Sequence, residues 1–180
     1  MGRDLFTRGL ISSNSGNLSI RIGDRIFITR RGSLLGSLQE NDLIETGIIR
    51  NSRSTPMASL ELPVHRAIYK ETQALAIVHA HPPHAIALSL KKKEIVPTGD
   101  EGISIVDRVP VVGWDMEVKP GGLADVIAPA LKKNKVVMVR GHGSFAIGQL
   151  LEEAYNLTTA LEQVCQILCL FNSLQGAHRK

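Results

Sequence analysis

Short apolar runs alternating with stretches of helical period constrain this chain more than any other feature. Ala74–Ala80 and Val136–Val139 are too short for helices and carry almost no polar face, so each reads as a strand buried on both sides. Val109–Val112 is a third such strand, and Ser144–Ile147 follows after a glycine turn. Asn17–Ile22 and Arg25–Thr29 read as a hairpin closed by Gly23-Asp24, and Leu43–Arg50, interrupted by Gly47, as an edge or irregular strand. Between these lie helical segments. One follows Ser59, an acceptable N-cap, and carries Leu62, Ala67 and Ile68 with Pro63 near its start. Another opens at Pro82-Pro83 and runs to about Leu90, and a third spans Leu123–Lys133, where Pro129 should kink or shorten it. The longest stripe, over about 150–172, holds Leu151, Ala154, Thr158, Leu161, Val164, Cys165 and Leu168. Interleaved strands and helices predict an α/β fold, a sheet covered by helices. With no repeat and no linker, residues 1–180 read as a single domain.

Composition narrows the function. Aromatic residues make up only 4% of the chain, so the core rests on aliphatic side chains and few rings remain for stacking on bases. The net charge of +4 is scattered over Arg30-Arg31, Lys91–Lys93, Lys132-Lys133 and Arg179-Lys180, with no basic arm. No nucleic-acid partner is expected. Cys165 and Cys169 stand one helical turn apart and read as packed thiols. Ala74–Leu90 comes closest to a membrane span, but three histidines and two prolines break it. No membrane partner and a cytoplasmic location are therefore expected, the N-terminus lacking a secretory apolar core.

The chemistry concentrates in His79-Ala80-His81 at the end of a buried strand. Residues i and i+2 of a strand point the same way, so both imidazoles leave one face side by side. His142 lies between Gly141 and Gly143 just after another buried strand. Three histidines with an open fourth position form a catalytic zinc pattern. His65 lies mid-helix, His84 faces away from the pair and His178 is in the tail, so these three are the poorer candidates. Glu61, at the start of the Ser59 helix, supplies a carboxylate that serves as ligand or general base. Ser15-Gly16-Asn17, Arg31-Gly32-Ser33 and the helix start at Ser59 are turns of the kind that present backbone N–H groups to phosphate.

Taken in order, Ser15-Gly16-Asn17-Leu18-Ser19-Ile20-Arg21, Ile28-Thr29, Gly32, Ser59-x-Glu61-x-x-x-His65, Val78-His79-Ala80-His81 and Arg140-Gly141-His142-Gly143 resemble the class II aldolase/adducin family over nearly the whole chain. The resemblance implies a three-layer α/β/α fold with a central, mostly antiparallel or mixed sheet. It implies a homotetramer with sites between subunits, and one zinc ion per subunit held by His79, His81 and His142. Glu61 would be acid/base and an additional ligand. Phosphate would be held around Gly16, Asn17, Arg31, Gly32, Ser59 and Leu60. The implied reaction is reversible cleavage of a ketose 1-phosphate, of the fuculose 1-phosphate type, to dihydroxyacetone phosphate and a hydroxyaldehyde such as lactaldehyde. A carboxylate tuned upward in pKa would suit Glu61 in that role. Two departures stand out: Arg31 replaces the threonine such aldolases often carry, and Val112–Pro120 has no tyrosine where relatives keep a second acid. Pentulose-phosphate 4-epimerases and sugar-phosphate dehydratases share the scaffold, as does the non-catalytic adducin head domain.

Overall fold

A computed structural model describes residues 1–97, 106–114 and 122–177. Strands β1 (Asn17–Ile22) and β2 (Arg25–Thr29) form the expected hairpin, with Ser19 opposite Ile28 and Ile22 opposite Arg25. β3 (Leu43–Gly47) is shorter than the sequence suggests, because the Gly47 N–H turns back onto the Arg50 carbonyl. The remaining strands are β4 (Ala76–Ala80), β5 (Glu94–Ile95), β6 (Val109–Val112), β7 (Val136–Val139) and β8 (Gly143–Gly148). They order as β3-β2-β1-β4-β8-β7-β6-β5 in one open sheet. Only β6 and β7 run parallel; the other neighbours are antiparallel.

Strand alternation divides the core between two faces. Val78, Ala80, Val136, Met138 and Ala146 face one layer, which α1 (Gly2–Thr7), α3 (Pro83–Ser89) and α5 (Leu151–Ala177) cover through Leu5, Ala85, Leu88, Ala154 and Leu161. Ile77, Val137, Val139, Phe145 and Ile147 face the other. There α2 (Leu62–Glu71) and α4 (Leu123–Leu131) contribute Leu62, Ile68, Ile127 and Leu131. This is the three-layer α/β/α arrangement with a mixed central sheet.

Local differences from the sequence expectation have local causes. α2 starts at Leu62 with Glu61 in the N-cap position, so Ser59 is not its cap; the Ser59 hydroxyl accepts the Glu61 backbone N–H at 3.3 Å. That start seats Pro63 in the first turn, where its missing N–H costs nothing. α4 ends two residues before Lys133, its last carbonyls taken by i−3 bonds from Lys132 and Lys133 just past Pro129. α5 continues five residues beyond the predicted end. The Cys165 and Cys169 thiols are free, and burial pushes both upward in pKa.

Candidate metal centre

Ten of the residues singled out from the sequence line one cleft of about 190 Å³: Gly16, Asn17, Arg31, Gly32, Ser59, Leu60, Glu61, His79, His81 and His142. Asn14, Arg30 and Ser33 complete its wall. His84 points elsewhere, its Nδ1 on Glu162 at 2.6 Å, and His178 lies outside the described residues.

Sheet register builds the centre. β4 pairs with β8 so that His79 lies opposite Phe145 and Ala80 opposite Ser144, which puts Gly143 beside the His79–His81 pair. A Cβ on Gly143 would stand 2.5 Å from the Ala80 carbonyl and 2.7 Å from the His81 ring, so only glycine leaves room there for the two imidazoles. Gly16 answers a similar demand: its φ is +75°, and a side chain there would meet the His79 carbonyl at 2.8 Å. His142 is aimed by the turn after β7, whose Gly141 N–H donates to Ser89 Oγ at 2.9 Å. The Arg140 guanidinium lies over the Trp114 ring at 4.5 Å and braces the same turn.

The donor set fits a divalent cation. His79 Nδ1 faces the Ser144 carbonyl at 2.9 Å, and a carbonyl only accepts, so Nδ1 carries the proton. Nε2 is then a bare lone pair, directed at His81 Nε2 (3.0 Å), His142 Nε2 (3.3 Å) and Glu61 Oε2 (3.2 Å). Glu61 Oε1 stands 3.2 Å from His142 Nε2. Nitrogens on a tetrahedral zinc stand about 3.3 Å apart, given bonds of about 2.0–2.1 Å. A ring lone pair facing a carboxylate oxygen repels it; a cation held in common turns that repulsion into attraction. The three histidine donor atoms all lie within 4.8 Å of one another.

Electrostatics support the same protonation states. Burial lowers His79 to about 3, with the neighbouring imidazoles adding to burial and Glu61 opposing it. Burial also lowers His81, helped by His142. Burial alone would raise Glu61, but the His142 hydrogen bond, the attraction of His79 in its protonated form and the Asn17 amide outweigh it and bring the carboxyl down to about 2. The upward tuning expected of this carboxylate is therefore reversed. Its Oε2 accepts a 2.7 Å hydrogen bond from Asn17 Nδ2.

Two residues do more than the sequence suggests. The Asn17 side chain, besides lining the cleft, bridges it to the core: Nδ2 donates to Glu61, and Oδ1 accepts from His65 Nε2 at 2.6 Å. His65, a poorer candidate by its mid-helix position, is fully buried and stands directly behind the site. The i, i+4 spacing of Glu61 and His65 is the available signal, since it puts both on one helix face. The loop over Val112–Pro120, where a tyrosine is missing, falls mostly outside the described residues.

Residues 1–169 match the family described as the Class II Aldolase and Adducin N-terminal domain. The chain belongs to that family. The resemblance drawn from the ordered motifs is thus borne out, and with it the assignment to the metal-dependent lyases. Among relatives of this class II aldolase chain, an L-fuculose phosphate aldolase of Methanococcus maripaludis (strain C7) is 30% identical over 95% of this chain and 93% of its own length. A methylthioribulose-1-phosphate dehydratase of Acidiphilium cryptum is 31% identical over 94% of this chain and 86% of its own. The crystal structure of L-fuculose-1-phosphate aldolase from Thermus thermophilus superposes with a TM-score of 0.89 at 37% identity, covering 98% of this chain and 92% of that one.

Proposed function

We propose that this single-domain chain is a zinc-dependent class II aldolase that reversibly cleaves a ketose 1-phosphate of the L-fuculose 1-phosphate kind to dihydroxyacetone phosphate and a hydroxyaldehyde such as lactaldehyde. One observation carries the reading: a three-histidine, one-carboxylate donor set shares one small cleft with Arg31, Gly32 and Ser59. His79, His81, His142 and Glu61 would hold the ion. When bound, it supplies Lewis-acid stabilisation to negative charge developing on the substrate oxygens.

The chain's own groups divide the remaining work. The Arg31 guanidinium, the Gly32 turn and the Ser59 hydroxyl beside Leu60 also line the cleft and suit a phosphate dianion. With the phosphate held there, the sugar carbons extend toward Glu61. Cleavage breaks the C3–C4 bond: the C4 hydroxyl gives up its proton and becomes the aldehyde carbonyl, the electron pair stays on the three-carbon fragment as an enediolate, and ionised Glu61 collects the released proton, directly or through water, and delivers it to C3. In the reverse direction the same carboxylate removes that proton. Held down to about 2, Glu61 is ionised at neutral pH and ready as the base of the synthetic direction.

The dehydratase relative supports a second reading, loss of water from a sugar phosphate after proton abstraction by the same carboxylate. Assembly as a homotetramer with the cleft at a subunit interface, and a cytoplasmic location, complete the proposal. Among the described residues no helix is long and apolar enough to cross a membrane. The test is metal analysis of the purified protein coupled to product analysis over several ketose 1-phosphates. Dihydroxyacetone phosphate at one zinc per chain is the expected result. A dehydrated sugar phosphate would favour the second reading, and no turnover of any substrate after zinc addition would overturn the first.

A further inference from the structure

Behind Glu61 lies a buried file of polar side chains whose hydrogen-bond directions all follow from one end. The Glu61 carboxylate can only accept, so Asn17 must offer it the NH₂ of its amide, at 2.7 Å. That turns Asn17 Oδ1 toward His65 Nε2 at 2.6 Å, and an amide oxygen only accepts, so His65 Nε2 carries the ring proton. Nδ1 is left as a lone pair and accepts from the Ser19 hydroxyl at 2.6 Å; Ser19 Oγ in turn accepts from the Tyr69 hydroxyl at 2.7 Å. Asn17, Ser19, His65 and Tyr69 are all buried.

Two periodicities make the file possible. Glu61, His65 and Tyr69 recur every four residues along α2, about 6 Å per step. Asn17 and Ser19 are two apart on β1, about 6.6 Å per step. The steps nearly match, so helix and strand residues alternate along the file from Glu61 to Tyr69. Phe145 stacks on His79 at 4.1 Å and meets the His65 ring edge-on at 6.2 Å, an apolar wall between the two imidazoles. The polar path from His65 to the metal centre therefore runs through the Asn17 amide.

We propose that His65 is a positioning residue, whose Nε2–H, with its Nδ1 lone pair satisfied by the Ser19 hydroxyl, keeps the Asn17 amide from flipping and so holds the Glu61 carboxylate in place to exchange its proton. A flipped amide would set Oδ1 against the carboxylate and repel it. The file orients and does not conduct, because an amide has no proton to pass along without leaving its stable form. The proposal rests on Glu61 being the proton-exchanging group of the reaction above.

The test combines kinetics with nitrogen-15 NMR of histidine-labelled, metal-free protein. Wild type shows His65 as the Nε2–H tautomer, and S19A shifts it toward a mixture with Nδ1–H. H65L lowers kcat by about 10- to 100-fold while KM and metal stoichiometry stay within about threefold. H65Q, whose amide N–H can still reach Asn17, recovers most of that loss. If H65L does not fold, S19A and Y69F carry the kinetic comparison, with kcat falling more for S19A than for Y69F at unchanged KM. Equal kcat in H65L and wild type, equal losses in H65L and H65Q, or an Nδ1–H tautomer in wild type would overturn the proposal. Full activity in E61Q would instead remove the assignment of Glu61, leaving the tautomer measurement to judge the file itself.

Discussion

His79 and His65 make an instructive pair. Both are fully buried imidazoles on the same side of the sheet, both touch Phe145, and burial lowers both, to about 3 and about 4 respectively. Their surroundings differ in one respect. Each nitrogen of His65 has a partner of opposite character, Asn17 Oδ1 for the donor and Ser19 Oγ for the acceptor. His79 has a partner for Nδ1 alone, while Nε2 confronts two further imidazole nitrogens and a carboxylate. A satisfied histidine stiffens a core; a lone pair gathered among other acceptors marks a place for a cation. The count of histidines does not separate the two cases, and the polarity of their neighbours does.

The contrast breaks most sharply if either imidazole can be lost with the same result. H79A should bind no stoichiometric metal and lose activity by more than about a thousandfold, since Lewis-acid stabilisation goes with the ion. Metal analysis and a coupled cleavage assay read this, and an active, metal-loaded H79A would erase the distinction.

E61Q keeps the volume of Glu61 and removes its basicity. Turnover should fall about a hundred- to a thousandfold with zinc largely retained, as measured by kcat beside metal content. Loss of metal without a further loss of kcat per bound ion would make Glu61 a ligand only.

A pH titration of stability sharpens the His65 side. Its folded pKa, about 4, lies below the unfolded value of about 6.5, so the fold excludes a proton that the unfolded chain binds. The stability tied to neutral His65 is therefore complete above about pH 6.5 and is lost as pH falls toward 4, by up to about 3 kcal/mol. Denaturant melts of H65Q against wild type across that window should show a shallower acid loss in the variant; parallel curves would contradict it.

The smallest effect belongs to the anion wall. Arg31 is exposed, so its grip on phosphate is screened, and R31A should raise KM about tenfold with little change in kcat. An unchanged KM would make Arg31 a solvated surface charge.

Much of this is legible in the chain itself. Alternation on a strand puts His79 and His81 on one face, and flanking glycines set off His142; the register of β4 on β8 brings the three together. A sheet covered by helices follows from the interleaved strands and helices, while the three layers are what the family resemblance implies. The illegible parts depend on partners far away in sequence. The pKa of Glu61 goes the opposite way from the sequence expectation because burial is visible as a tendency, whereas Asn17, 44 residues away, and His142 are not visible as neighbours. The place of His65 is hidden because its partners Ser19 and Asn17 lie 46 and 48 residues off on β1. The two-residue strand β5 carries too little pattern to declare itself, and is made by pairing with β6.

The central claim is that the lone pairs around His79 form the metal centre of an aldolase. Titrating metal-free protein with zinc while following cleavage of L-fuculose 1-phosphate tests it most directly. Activity should rise in proportion to added zinc and level off at one equivalent per chain. Failure to bind zinc, or saturation at one equivalent with no dihydroxyacetone phosphate released from that or any other ketose 1-phosphate, would contradict it.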